Sequence, residues 1–213
     1  MKEFTMCCPL RGKTYPNKKT RVIPITQYFG DNKSKLFYGP KGHNGVDFGV
    51  RHIRARKYDG TTAKSKAYAP ILCPYNGRVV SDREIQSDTK GRYITILTDV
   101  IQIDGKLCKA KIVLFHLAYI KKRIKVGKRV KRGELVGYGG NTGLYTTGPH
   151  LHFGLKIYWK GEGNTFGKGE YIDPMRFFTS CKSPMVGRHP FKPALFWYKG
   201  EQIIKKLYLS LIK

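Results

Sequence analysis

The residues of this sequence with the greatest chemical potential are its histidines, two of which form His-x-His in the segment TGPHLHFGLKIYW. His150 and His152 alternate there with Leu151, Phe153 and Leu155. Residues two apart share a face of a β-strand, so both imidazoles would point one way and the apolar side chains toward a core. Such a pair can bind a metal ion, although a solvated strand face is the commoner explanation of an isolated His-x-His.

A second pattern, HNGVD, places His43 four residues before Asp47 with Gly45 between them. Glycine permits a bend of the backbone, so the imidazole and the carboxylate could converge without lying on a helix. His116 ends the apolar run of KIVLFHLAYI, where a buried, hydrogen-bonded core histidine is the ordinary interpretation.

The three patterns together favour a metal site. Zinc binds imidazole nitrogen and carboxylate oxygen, and a catalytic zinc site uses three protein ligands and one open position. His43, Asp47 and one histidine of His-x-His would supply those ligands, and two histidines would remain for proton transfer. Spacing alone does not decide whether His150 or His152 binds the ion.

These side chains must be positioned by short strands separated by Gly-rich and Pro-rich turns. Asp104-Gly105 lies between two β-prone stretches, which predicts a two-residue hairpin turn. Many short strands without alternating helices predict an all-β fold of mainly antiparallel sheets around a groove. The predicted strands are Val22 to Phe29, Val46 to Val50, Gly77 to Val80, Tyr93 to Leu97, Cys108 to Phe115, Leu135 to Tyr138 and His150 to Tyr158.

From Arg21 to Phe178 the chain resembles the lysostaphin-type (LytM-like) zinc peptidases, which cut peptidoglycan peptides. The resemblance rests on an ordered set of motifs: ITQYFG, GHNGVDFGV, APILCPYNGRVV, VLFHL, VGKRVKRGELVGYGGNTG, TGPHLHFGL and YIDPMRFF. It implies one Zn²⁺ ion held by His43, Asp47 and His152, with His116 and His150 as the catalytic pair.

The sequence departs from that family in three places. Gly154 replaces the acidic residue that usually follows the His-x-His-Phe segment, Arg51 to Lys66 is an insertion, and Cys181 to Lys213 is an additional tail. We predict an N-terminal extension over 1–20, a catalytic domain over 21–180, and a basic, apolar tail over 181–213 that packs on the domain.

Substrate contacts are predicted on two sides of the metal. The segment NTGLYTTGP is expected to form a loop beside it, with Asn141 and Tyr145 as candidate contacts, and Tyr28 and Phe29 could line the opposite wall. Plain packing is the alternative for each aromatic ring.

The net charge of the chain limits the chemical classes of partner that it is expected to bind. Its 213 residues carry 41 Lys and Arg against 14 Asp and Glu, a net charge of +27, so an anionic partner is expected. KKRIKVGKRVKR, residues 121–132, could suggest nucleic acid, but the even spacing of its apolar residues favours a strand and turn with a solvated cationic face. The accompanying sequence lacks a nucleic-acid-binding signature, which favours anionic cell-wall polymers.

The cysteines, the apolar stretches and the N-terminal segment bear on the cellular location of the protein. The five cysteines lack a metal or redox spacing, so reduced thiols are expected. We find neither a membrane-spanning stretch nor a secretory signal at the N-terminus. A wall enzyme would then be delivered by a phage, released by lysis, or exported by another route.

The leading hypothesis is a zinc endopeptidase that hydrolyses peptide bonds in the cross-bridge or stem peptide of bacterial peptidoglycan, acting outside the cytoplasmic membrane. A non-catalytic, zinc-containing wall-binding or activator module is the first alternative, and a nucleic-acid-binding protein with incidental histidines is the second. Intact His116 and His150 favour the enzyme.

Overall fold

The computed structural model describes residues 3–10, 13–14, 21–22, 25–31, 42–50, 69–83, 89–144, 146, 148–163 and 165–179. The predicted insertion at 51–66, the tail at 181–213 and the candidate contact Tyr145 lie outside these residues. No helix within the described part is long and apolar enough to span a membrane.

The described residues form strands of 2 to 15 residues and one 3-10 helix, Pro174–Arg176. The strands are β1 (Lys13–Thr14), β2 (Arg21–Val22), β3 (Ile25–Gln27), β4 (Val46–Gly49), β5 (Pro70–Leu72), β6 (Gly77–Arg83), β7 (Arg92–Leu97), β8 (Ile101–Ile103), β9 (Lys106–Ile120), β10 (Arg129–Val130), β11 (Leu135–Gly139), β12 (His150–Trp159) and β13 (Glu170–Tyr171).

Eleven of the strands in the described part of the chain belong to one sheet, whose main order is β10-β6-β7-β9-β12-β4-β3. Strand β11 pairs with β5 and β9, β8 pairs with β9, and β13 pairs with β12, while β1 and β2 form a separate pair. Every pairing between these strands is antiparallel. The prediction of an all-β, mainly antiparallel fold is confirmed.

Side-chain alternation gives the sheet one apolar face and one polar face. On β12 the four residues Leu151, Phe153, Leu155 and Ile157 are fully buried in the core, together with Ala110, Ile112 and Leu114 of β9. The intervening residues of β12 point to the opposite face. The histidines of His-x-His therefore lie on the polar face, as the alternation predicted.

The hairpin between β8 and β9 agrees with the sequence. Asp104 and Gly105 have φ values of 48° and 77°, and positive φ at both central residues is the requirement of the tight two-residue turn that matches strand twist. Ile101 pairs with Cys108 and Ile103 with Lys106 on either side of it.

The basic segment 121–132 contains less strand than its even apolar spacing suggested. Ile124 and Val130 are buried, but Val126 is 58% exposed and only Arg129–Val130 forms a strand. The reason is the turn at Gly127, whose φ of 86° interrupts the alternation. The cationic side chains of the segment are mostly exposed, as expected.

Residues 3–10, inside the predicted N-terminal extension, pack into the core. Met6 is fully buried, its N–H donates to Phe177 O at 2.7 Å, and its carbonyl accepts from the N–H of Thr179 at 3.1 Å. Phe4 packs edge-on against Tyr75 with a centroid distance of 4.8 Å. This segment therefore contributes hydrophobic burial to the core of the described fold.

The described cysteines Cys7, Cys8, Cys73 and Cys108 are buried and reduced. Burial raises the pKa of the Cys73 thiol to about 12 and that of Cys108 to about 11. Both thiols therefore stay protonated at neutral pH and pack as small apolar groups.

We predict that Met6→Ala lowers the free energy of unfolding by about 2–5 kcal/mol, because it removes a fully buried side chain and leaves a cavity. Chemical denaturation monitored by circular dichroism measures the change. Val126→Ala, at an exposed position, should change stability by about 0.5 kcal/mol or less. Equal stability of the two variants would show that residues 3–10 are not part of the folded core.

Candidate metal centre

The centre is built on one row of side chains that crosses three strands. Asp47 of β4 pairs with His152 of β12, and His152 pairs with Phe115 of β9. Because directly opposed residues of neighbouring strands point to the same face, the three side chains lie side by side. The Phe115 ring stacks on the His152 imidazole with centroids 5.2 Å apart and planes 15° apart.

His43 reaches this row from the turn that precedes β4. Its N–H donates to Asp31 O at 3.1 Å, and its carbonyl accepts from the N–H of Gly30 at 2.8 Å. Its Nδ1 lies 3.0 Å from the carbonyl oxygen of Tyr28. A carbonyl can only accept, so Nδ1 carries the proton and the lone pair of Nε2 is left to face the centre.

Three possible ligand atoms converge at the centre. His43 Nε2 lies 3.0 Å from His152 Nδ1 and 3.2 Å from Asp47 Oδ1, and the distance from His152 Nδ1 to Asp47 Oδ1 is 3.0 Å. All three residues are buried. Ligands of tetrahedral zinc, each about 2.0–2.2 Å from the ion, are separated by about 3.3–3.6 Å, so the observed spacing is a few tenths of an ångström tighter and the donor set fits this ion.

The surroundings keep the carboxylate of Asp47 charged. Burial by itself raises the pKa of Asp47, but hydrogen bonds with His152 and His43, reinforced by the charges of His152 and His150, hold it well below its usual range. Burial lowers the pKa of His152. A negative carboxylate and neutral imidazoles are the protonation states that metal binding requires.

Gly45 lies in the bend that precedes β4, as expected, and it is also required for close approach to β12. Its φ is not positive, and a Cβ at this position would lie 2.5 Å from Phe153 O and 2.8 Å from His152 Cε1. The turn before β4 can therefore lie directly against β12. This proximity brings His43 and Asp47 to His152.

A β-bulge places His116 beside the centre. Ile94 of β7 pairs with Leu114 and Arg92 pairs with Leu117, so Phe115 and His116 share one position of the partner strand. The predicted strand from Cys108 to Phe115 thus continues through the bulge to Ile120. His116 has a φ of 63°, which departs from strand geometry and turns its ring to the same side as Phe115.

His116 and His150 present equivalent atoms to the centre. His116 Nδ1 donates to Thr142 O at 2.8 Å, and His150 Nδ1 donates to Gly148 O at 2.7 Å. Each ring therefore keeps an Nε2 lone pair that can accept a proton. The two centroids are 4.6 Å apart, and His150 Nε2 is 3.7 Å from Asp47 Oδ2. Burial, with a smaller contribution from the charge of His150, lowers the pKa of His116 to about 4.

The structure thus brings together all five residues predicted to bind metal or transfer protons. Two of the predicted substrate contacts, Tyr28 and Asn141, lie within the described residues, and their role in binding substrate stays a prediction. Tyr28 is half-buried and packs against the core while its carbonyl holds His43. Asn141 is exposed, and its carboxamide oxygen accepts a hydrogen bond from Thr146 Oγ1.

The sequence did not single out Thr142 or Phe115. The buried Thr142 accepts from His116 through its carbonyl, while its Oγ1 donates to Leu117 O at 2.7 Å and accepts from the N–H of Arg92 at 3.0 Å. A Cβ on Gly91, whose φ is 63°, would lie 2.3 Å from Thr142 O. Gly91 and Gly143 were the only local signals in the sequence for this contact, because each lies where the loop around residue 91 and the loop around residue 142 approach too closely for a side chain.

Comparison with known proteins assigns the family. The family model described as peptidase family M23 matches residues 56–174, more than half of the chain. The chain belongs to peptidase family M23. The matched range contains His116, His150 and His152, and it begins after His43 and Asp47. The resemblance to lysostaphin-type peptidases is confirmed.

Curated relatives of this M23 member cover part of its length. It is 33% identical over 138 residues, 64% of this chain, to an uncharacterized metalloprotease of Haemophilus influenzae. It is 43% identical over 66 residues, 31% of this chain, to the glycyl-glycine endopeptidase ALE-1 of Staphylococcus capitis. The matches span 23% and 16% of the lengths of those two relatives.

Similar solved structures include the catalytic domain of lysostaphin from Staphylococcus simulans, at 25% identity and a TM-score of 0.47, covering 73% of this chain and 91% of that one. The structure of LytU matches at 30% identity and a TM-score of 0.48, covering 78% of this chain and 90% of that one.

We predict that Thr142→Val lowers peptidase activity by about 10-fold or more without loss of bound zinc, because the loop that holds His116 Nδ1 loses both hydrogen bonds of Oγ1. The measurements are kcat, KM and zinc content, and the expected loss lies in kcat. Thr142→Ser retains the hydroxyl and should retain most of the activity. A valine variant as active as the serine variant would exclude this positioning role.

Proposed function

We propose that this M23 family member is a zinc-dependent endopeptidase that hydrolyses peptide bonds in the cross-bridge or stem peptide of bacterial peptidoglycan. The observation that carries the proposal is the convergence of three metal-ligand atoms with two histidines whose Nε2 atoms can accept protons. Similarity to a glycyl-glycine endopeptidase and to lysostaphin supports the substrate class.

His43 Nε2, Asp47 Oδ1 and His152 Nδ1 would hold the ion. When bound, zinc supplies Lewis acidity toward a peptide carbonyl and lowers the pKa of water to roughly 7. The hydrogen bond from His43 Nδ1 to Tyr28 O and the stacked Phe115 ring fix the orientation of the two imidazoles. The protein would therefore supply two ligands from paired strands, Asp47 and His152, and a third from the turn before β4.

His116 and His150 would transfer the protons of hydrolysis. One imidazole accepts the proton of the attacking water at Nε2, and the other, when protonated, stabilises the negative charge that develops on the carbonyl oxygen or protonates the leaving amine. The lowered pKa of His116 keeps its imidazole neutral at pH 7. Because both rings donate through Nδ1 and keep Nε2 available, either ring can take either role.

The place of action we propose is the cell wall. In the segment 121–132 most basic side chains are exposed, and Glu134, Asp82 and Asp99 pair with only three of them. The positive charge that no carboxylate of the described residues neutralises favours attraction to anionic wall polymers, which salt would screen. We further propose that residues 21–180 form the catalytic unit, with 3–10 packed into it and 181–213 as an additional tail.

We predict that Asp47→Ala and His116→Ala fail in different ways. Loss of Asp47 removes a ligand and should abolish zinc retention and hydrolysis together. Loss of His116 should leave about one zinc per chain while lowering hydrolysis by about 10²–10⁴-fold, because a proton-transfer group is missing. Zinc is measured by elemental mass spectrometry after dialysis, and circular dichroism controls for folding. A fully active His116→Ala protein would refute its catalytic role.

We also predict that the zinc-loaded protein releases defined peptides from purified peptidoglycan. Walls with glycine cross-bridges and walls with directly cross-linked stem peptides are digested separately, and mass spectrometry identifies the new termini. A chelator and the His152→Ala variant should each abolish the products. If zinc is retained and the protein binds walls without generating new termini on any of them, a non-catalytic binding or activator module is the correct function.

A further inference from the structure

A second row of side chains crosses the polar face of the sheet beyond the metal centre. Lys156 of β12 pairs with Lys111 of β9 on one side and with Tyr171 of β13 on the other. Lys156 follows His152 by four residues, so it lies on the same face, about 13 Å along the strand. The row therefore belongs to the surface that continues from the centre.

The two lysines are held close to aromatic rings. Lys111 Nζ is 5.5 Å from the centroid of the Tyr158 ring, and Lys156 Nζ is 5.7 Å from that ring and 5.5 Å from the ring of Tyr171. Both tyrosines and both lysines are partly buried. Contact with the ring faces favours ammonium groups here and limits their motion.

These two charges are not neutralised by carboxylates of the described chain. Neither Lys111 nor Lys156 has an ion-pair partner within 4.0 Å among the described residues. The neighbouring Glu170 pairs with Ile157, a residue of the core face, and accepts from Trp159 Nε1 at 2.6 Å. Two adjacent positive charges without a counter-charge form a site that an anion would stabilise.

Between the centre and the lysines, β12 has a residue without a side chain, Gly154. Gly154 of β12 pairs with Val113 of β9 there, and Val113 is buried. A Cβ on Gly154 would lie 3.2 Å from Tyr171 Cε1. Because glycine has no side chain, the tyrosine ring can pack against the backbone of β12 at this position. The Tyr171 ring thus lies against Gly154, which is between His152 and Lys156 on the same face of β12.

We propose that Lys111 and Lys156 form a subsite for a free carboxylate of an acidic peptide substrate. An extended peptide rises about 3.3 Å per residue, so the carboxylate would lie about four residues from the bond at the metal centre. This inference rests on the proposed peptidase function and defines its substrate class. The enzyme would prefer peptides with free carboxylates to the same peptides in amidated form.

The test uses cross-linked peptide dimers isolated from peptidoglycan and the same dimers after their carboxylates are converted to carboxamides. For the zinc-loaded full chain, amidation should raise KM about three- to tenfold and leave kcat nearly unchanged, the range expected of two partly exposed ion pairs. The double variant Lys111→Gln, Lys156→Gln should have the higher KM for both forms and no longer distinguish them.

The matched control is the double variant Lys106→Gln, Lys122→Gln, which loses the same charge at two exposed positions away from this row. It should still discriminate like the wild type. Equal discrimination by the Lys111, Lys156 variant would overturn the proposal. So would weaker adhesion of that variant to intact walls with unchanged KM values for the dimers, because the lysines would then bind wall polymer.

A binding measurement separates this inference from the proposed function. Calorimetry of zinc-loaded His116→Ala with both dimers should show the same preference for free carboxylates, independently of turnover. If wild type cleaves no dimer while binding discriminates, the peptidase function fails and the carboxylate subsite stands. Cleavage or binding without discrimination overturns the subsite.

Discussion

The register of strands β4, β12 and β9 is the constraint on which the metal centre depends. It aligns Asp47, His152 and Phe115 in one row, so a carboxylate, an imidazole and a stacked ring meet without a long loop. Slippage by one residue on β12 would send both histidines into the core and bring Leu151 or Phe153 to the polar face. The same alternation that buries four apolar residues of β12 therefore also directs His152 toward Asp47.

A regular sheet alone would not produce this arrangement. Along β9, Phe115 and His116 are consecutive, and regular alternation would place them on opposite faces. The bulge opposite Tyr93 turns both toward the centre, where Phe115 supports His152 and His116 lies beside His150. Hydrogen bonds from His116 to Lys90 O and Thr142 O hold this local irregularity.

Features that depend on local spacing or on family resemblance could be predicted from the sequence. The alternation in HLHFGL predicted which residues of β12 face the core, and Asp104-Gly105 predicted the hairpin between β8 and β9. Contacts between distant segments could not be predicted in the same way. The residues around Gly45 do not indicate that it packs against β12, and those around Thr142 do not indicate that its carbonyl binds His116. The burial of Met6 was missed for the same reason: its partners, Phe177 and Thr179, lie more than 170 positions later. The bulge was missed because alternation rules assume unbroken strands.

The left-handed backbone of His116 has an energetic consequence for the whole domain. A side chain with a Cβ in this conformation costs about 1–3 kcal/mol, a sizeable fraction of the marginal stability of a folded domain. Glycine would adopt the same φ of 63° without that penalty but would remove the imidazole. Selection for thermostability alone would thus favour replacement of this histidine, and engineering that raises the melting temperature should be paired with a screen for turnover.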